Sequence, residues 1–149
     1  MTDKNVSIMN IGSMGYLPQV FKKIENEKKL NIVYLGGSIT MGCNATRTEL
    51  RYVDRSAKWW QTNFPDAEIS YFNAGIGATT SQFGVARVQE HVLDKQPDLV
   101  FVEFSVNDSS SPLFMETYES LVRRLLKAES VKAVVLINNL FYDTGTNAQ

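Results

Sequence analysis

The feature that most constrains the fold is an alternation repeated four times: a short apolar run closed by small or amide residues, then a longer segment with helical spacing. Residues 30–35 end in Gly36-Gly37 and residues 69–72 end in Asn73-Ala74-Gly75. Residues 99–104 are entered through Pro97-Asp98 and left through Ser105, and residues 131–137 end in Asn138-Asn139. Three of these runs are β-branched or aromatic and nearly continuous, the pattern of parallel strands buried on both faces. Between them, Val53, Ala57, Trp60 and Phe64 fall on one helical face ahead of Pro65. Trp60 belongs to that core face, and the adjacent Trp59 points away from it. Tyr118, Leu121, Val122 and Leu125 form a second stripe, with Ser111 as N-cap and Pro112 at the first helical position. Residues 79–94 carry a weaker helical pattern, and residues 17–29 read as a lysine-rich surface helix. Strand–helix alternation of this length predicts a three-layer α/β/α fold, with a right-handed, flavodoxin-like, doubly wound parallel sheet. Such sheets normally have five strands and four are legible. Residues 1–149 therefore read as one domain, incomplete at the C-terminus by a strand and a helix, with residues 1–29 as a lead-in segment and helix.

Charge and composition narrow the function. The formal net charge is −1 with both signs interleaved, which gives no field to hold a phosphate backbone, so no nucleic-acid partner is expected. No apolar run approaches the ~18 residues needed to cross a bilayer, so no membrane role is expected. The polar start Met1-Thr2-Asp3-Lys4-Asn5 lacks a signal-peptide core, so the chain reads as cytoplasmic. The single cysteine, Cys43, excludes an internal disulfide and a cysteine-rich metal site, and His91 is the single histidine.

In open α/β sheets ligands bind outside the carboxyl ends of the strands, so chemistry is sought in the post-strand loops. The first is Gly36-Gly37-Ser38-Ile39-Thr40-Met41-Gly42, the second runs over residues 73–81, and the third is Ser105-Val106-Asn107-Asp108. All three are rich in small residues, hydroxyls and amides. A phosphate-binding P-loop needs a lysine beside the hydroxyl, and none lies between Gly36 and Arg47. The α/β-hydrolase elbow needs glycine two residues after the serine, where Thr40 stands. A G-x-G-x-x-G dinucleotide fingerprint starting at Gly75 and Gly77 fails at Thr80.

The first loop resembles the G-D-S-I-T-x-G block of SGNH (GDSL-like) hydrolases, with Gly37 in place of aspartate. This Gly-Gly-Ser variant resembles carbohydrate-esterase members. Residues 73–87, with Thr80-Ser81-Gln82, Gly84 and Ala86-Arg87, are similar to the second block. Residues 97–108, ending in Ser105-Val106-Asn107-Asp108, are similar to the third, with Ser105 replacing a glycine. The resemblance runs from about residue 30 to the end of the chain. It implies that Ser38 attacks an ester carbonyl to give an acyl-enzyme. The oxyanion would be held by the Ser38 N–H, the Asn107 amide and a second-loop N–H. That second-loop donor belongs to Ala78 or Gly77, and Ala78 serves only if its φ stays negative. Gly37 and Gly75 would line the substrate, and Asn73 would either join them or fix the loop with its amide. No metal or organic cofactor is implied.

The family's late D-x-x-H block is missing from this sequence, and His91 sits in a helix away from the strand ends. The expectation is a short-acyl esterase, with acetyl the expected group, acting on carbohydrate, whose nucleophile half lies here and which by itself is inactive or very weak. The alternative is a non-catalytic carbohydrate- or acyl-binding module of the same fold. The partner would be a small-molecule or carbohydrate acyl ester, and the edge beside the fourth strand favours a homo-oligomer or a complementing C-terminal segment. Cys43 is expected to pack behind the first loop, and Asp108 to be structural. Arg47, Arg51 and Arg55 read as a solvated face or as a hold for a carboxylate or sugar.

Overall fold

The computed structural model describes residues 10–13 and 15–139. In chain order the elements are α1 (Leu17–Glu27), β1 (Lys29–Gly36), the short helix α2 (Ser38–Met41), α3 (Tyr52–Asn63), β2 (Glu68–Gly75), α4 (Ser81–His91), β3 (Leu99–Glu103), α5 (Pro112–Leu126) and β4 (Ala133–Leu136). Single 3₁₀ turns lie at Thr48–Leu50 and Leu93–Lys95.

The strands form one parallel sheet in the order β2-β1-β3-β4. From β1 the chain moves outward to β2, then crosses back over β1 to β3 and continues to β4. Right-handed crossovers with opposite directions of travel put their helices on opposite faces. The side chains of β1 show this division. Leu30, Ile32 and Tyr34 pack with Val20 and Ile24 of α1 and with Val53 and Trp60 of α3. Val33 and Leu35 pack with Val88 of α4 and with Leu121 and Leu125 of α5. The three-layer α/β/α architecture is therefore as expected from the alternation.

The two edge strands depart from the pattern. β2 lies at the sheet edge, where Tyr71 and Phe72 are 39% and 43% exposed and only Ile69 and Ala74 are buried. An aromatic edge strand looks as continuous in sequence as a central one, so burial on both faces holds for β1 and β3 but not here. At the other edge, Leu136 of β4 is exposed, and an open groove of about 590 Å³ runs between β4 and α5 past Met115, Tyr118, Val122 and Leu126. A fifth strand is not among the described residues, and the expectations for residues 140–149 fall outside them.

Helix ends follow the local sequence with two exceptions. The first is that α1 stops at Glu27 rather than reaching residue 29, because Lys28 turns left-handed and Lys29 opens β1. α5 starts at Pro112 with Ser111 in extended backbone at the N-cap, but the Ser111 side chain makes no capping bond. The helical pattern over residues 79–94 resolves into α4 and the following 3₁₀ turn. Gly84 lets α4 lie on β3's continuation, since a Cβ there would meet the Phe104 ring at 2.9 Å. Trp60 is buried and Trp59 half exposed, as the helical spacing predicts.

Candidate functional site

β1 and β3 are neighbours, yet the chain leaves them in opposite directions, which makes this the topological switch point where a crevice opens beyond the strand ends. The first loop fills that position. Gly36 ends β1, Gly37 caps α2, and Ser38 is the first residue of α2. A Cβ on Gly75 would sit 2.6 Å from the Thr40 carbonyl carbon and 2.7 Å from Met41 Cα, so α2 rests directly on the end of β2. Gly42 closes α2 at φ +104, a conformation that favours glycine, and donates to the carbonyls of Ser38 and Ile39. As first residue of a helix, half-buried Ser38 has a backbone N–H that the helix itself cannot engage.

The three loops meet at Asn107. Its Nδ2 donates to the Thr79 carbonyl at 2.8 Å, and a Cβ on Gly37 would lie 3.0 Å from the same nitrogen. The amide has two N–H donors, so one remains beyond the bond to Thr79. The second loop turns at Gly77 and Ala78, closed by Thr79 Oγ1 donating to Ile76 O at 2.7 Å and tied to the first loop by Ile76 N–H donating to Gly36 O at 3.1 Å. Ala78 has φ +57. The condition set for Ala78 as the second-loop donor is therefore not met, which leaves Gly77: the tight turn imposes the left-handed conformation at Ala78, and the Cβ is tolerated because the residue is exposed.

Asn73 and Asp108 act inside the scaffold. Asn73 Nδ2 donates to Thr40 O at 2.8 Å and its Oδ1 accepts the Gly75 N–H at 2.9 Å, so its amide stitches β2 to α2. Asp108 Oδ1 accepts the Ser81 N–H at 2.9 Å, capping the first turn of α4 from another loop. Beneath α2 lies a buried polar group that sequence reasoning did not single out. Thr40 Oγ1 shares a hydrogen bond with the Tyr52 hydroxyl at 2.9 Å and donates to Glu103 Oε2 at 3.4 Å. Burial holds the Tyr52 phenol above its ordinary value, and the Glu103 charge adds to the effect. The signal for Thr40 was its place two residues after Ser38; nothing local marked Glu103 or Tyr52.

Cys43 is exposed, contrary to the expectation that it packs behind the loop, because the left-handed turn at Gly42 carries the chain outward. Arg51 braces α2 rather than facing solvent. Its Nη1 donates to Met41 O at 3.3 Å and its Nε lies 2.9 Å from Asp54 Oδ2. Arg47, paired at 3.5 Å with Glu49, and Arg55 are exposed. His91 ends α4, ten residues after Ser81 and thus about 15 Å of helix away from the second loop. Among the described residues no cluster of three histidine, cysteine or acidic side chains could hold a metal ion, and no helix is long and apolar enough to cross a membrane.

A serine at a switch-point turn, with an asparagine amide and a tight backbone turn beside it, is the arrangement expected of an SGNH-type hydrolase. The chain belongs to the GDSL-like lipase/acylhydrolase family, whose profile matches residues 34–149. Among solved structures it is similar to a two-domain esterase active on acetylated mannans (48% identity, TM-score 0.87, covering 91% of this chain and 37% of that one). It is also similar to an acetylxylan esterase from Geobacillus stearothermophilus (25% identity, TM-score 0.58, covering 72% of this chain and 58% of that one). A gut microbial diltiazem-metabolizing enzyme shares the fold at 24% identity and TM-score 0.64, covering 77% of this chain and 28% of that one. The chain thus spans about 37% of the two-domain esterase. A search of curated proteins found no match.

Proposed function

We propose that this chain forms the nucleophile and oxyanion part of a serine esterase that removes acetyl groups from a carbohydrate. The observation that carries the reading is the placement of Asn107, whose amide donates to the Thr79 carbonyl of the second loop and lies 3.0 Å from where a Cβ on Gly37, beside Ser38, would stand. In this reading Ser38 Oγ attacks the acetyl carbonyl, its proton passes to a base, and the sugar hydroxyl leaves with a proton. Water then releases acetate from the acyl-serine. The developing oxyanion is held by the Ser38 N–H, the free Asn107 N–H and the Gly77 N–H, since Ala78 does not meet the condition of a negative φ. Support for the substrate class comes from the neighbour active on acetylated mannans.

The base is not supplied by His91, which lies at the far end of α4. The proposal therefore puts it outside residues 10–139, and this stretch alone turns over slowly at best. Catalytic mutants of the Geobacillus esterase replace a serine or a histidine, which supports a serine–histidine pair in the complete protein. The test is hydrolysis of p-nitrophenyl acetate and acetylated mannan by the full-length protein. Ser38→Ala should abolish both activities, and Asn107→Ala should lower kcat by about 10²–10³ with little change in KM. Full activity in Ser38→Ala would overturn the reading. Binding of acetylated mannan without any hydrolysis would favour the non-catalytic module instead.

A further inference from the structure

Arg87 is a buried cation that the site as described does not use. It lies on α4 facing the sheet and is 5% exposed. Its Nη1 donates to Ala74 O at 2.6 Å and its Nη2 to Gly36 O at 3.1 Å. These carbonyls end adjacent parallel strands: Ala74 pairs with Leu35 and Gly36 with Gly75 in the β1–β2 register. The first lies immediately before Gly75 and the turn at Gly77 and Ala78. The second lies immediately before Gly37 and Ser38. One planar guanidinium thus holds the roots of both loops that would supply backbone donors to the oxyanion, and Gly36 O also accepts the Ile76 N–H at 3.1 Å.

Packing alone does not account for an arginine here. Burial lowers its proton affinity with no opposing carboxylate to offset this, and Nε is buried without a hydrogen-bond partner among the described residues. Its remaining contacts are His91 Nδ1 at 3.3 Å and the Phe83 ring at 5.7 Å. A buried, unpaired cation is costly, and an apolar side chain of similar volume would fill the space at lower cost. What an apolar residue cannot do is fix two carbonyl oxygens on different strands in one plane. Lysine carries the charge but lacks the rigid fork.

We propose that Arg87 is the positioning residue of the oxyanion site, setting the distance between the Ser38 N–H and the second-loop N–H by clamping Gly36 O and Ala74 O. This rests on the esterase reading above. A misplacement of about 1 Å costs roughly 10²-fold in rate. In the full-length protein, Arg87→Met should therefore lower kcat on p-nitrophenyl acetate by about 10²-fold, and Arg87→Lys by about tenfold, with KM within about threefold for both. Melting temperature and kcat per folded molecule are measured together. If the methionine variant does not fold, the lysine variant decides. A loss confined to KM, or one that vanishes once unfolded protein is discounted, would overturn the assignment. Ser38→Ala run alongside separates the two proposals: if it keeps activity the esterase reading fails, whereas if it is dead and Arg87→Lys keeps kcat only the clamp fails. Should the wild-type protein hydrolyse nothing, amide exchange of Gly37 and Ile76 decides. Exchange faster by about tenfold or more in Arg87→Lys supports the clamp, and unchanged protection overturns it.

Discussion

Replacing Ala78 with glycine should stabilise this fold, the reverse of the usual sign for a glycine substitution. Ala78 is held at φ +57 in the turn between β2 and α4. An L side chain there costs roughly 1–2 kcal/mol, because Cβ crowds the following carbonyl oxygen. Glycine is free of that cost but adds about 0.4–1 kcal/mol of conformational entropy to the unfolded chain. Ala78 is exposed, so little packing is lost. The balance favours Ala78→Gly by about 0.5–1 kcal/mol, a shift of a few tenths of a molar in the urea midpoint at constant slope. Lys28→Gly is the control: Lys28 caps α1 at φ +52, exposed and on the other side of the sheet, and should shift the same way. The N–H is retained in Ala78→Gly, so esterase turnover should stay within a few-fold of wild type. If Ala78→Gly loses stability while Lys28→Gly gains it, Ala78 is not in the left-handed conformation and the turn has been misread.

Gly75→Ala should cost about 1–3 kcal/mol and most of the activity, because its Cβ would meet the backbone of Thr40 and Met41, which cannot yield without moving α2. Gly77→Ala should be nearly neutral in a denaturation series, since its Cβ would meet only the flexible Met41 side chain, Cε at 3.3 Å and Sδ at 3.7 Å. Burial pushes the phenols of Tyr34 and Tyr118 up to about 12, so both stay protonated in the fold where unfolded tyrosines ionise near pH 10. Their folded values lie above the unfolded ones, so the associated stability is fully present below pH 10 and is lost as pH rises towards 12. Absorbance at 295 nm should then show a delayed, cooperative tyrosine phase coincident with unfolding; a smooth titration of every tyrosine near pH 10 would contradict that burial.

Particular elements show how far the sequence could be read. The helical spacing of Val53, Ala57 and Trp60 was enough to place α3 and to separate buried Trp60 from exposed Trp59, because that information is local and periodic. The glycines around Ser38 were legible as a tight turn for the same reason. Cys43 was misjudged because its exposure depends on the left-handed exit at Gly42, which carries no hydrophobic signal. Tyr71 and Phe72 of β2 look like core residues until the strand order puts them at an edge. The asparagine of the third loop was found by its motif, but its contact with Thr79, 28 residues earlier, was not.

By itself the sequence determined the alternation of strands and helices, the three loops that follow the strands, and the serine and asparagine that define the family. Period, turn chemistry and short motifs are properties of neighbours along the chain, so a single sequence records them. Only the tertiary structure decided that Arg87 reaches two strand ends, that Asp108 caps a helix begun in another loop, and that Glu103 lies under Thr40. Those pairings follow from the strand order β2-β1-β3-β4 and its register, which bring together residues 13 to 63 positions apart. Such distances are set by how the crossovers pack on the sheet, and no local pattern encodes them.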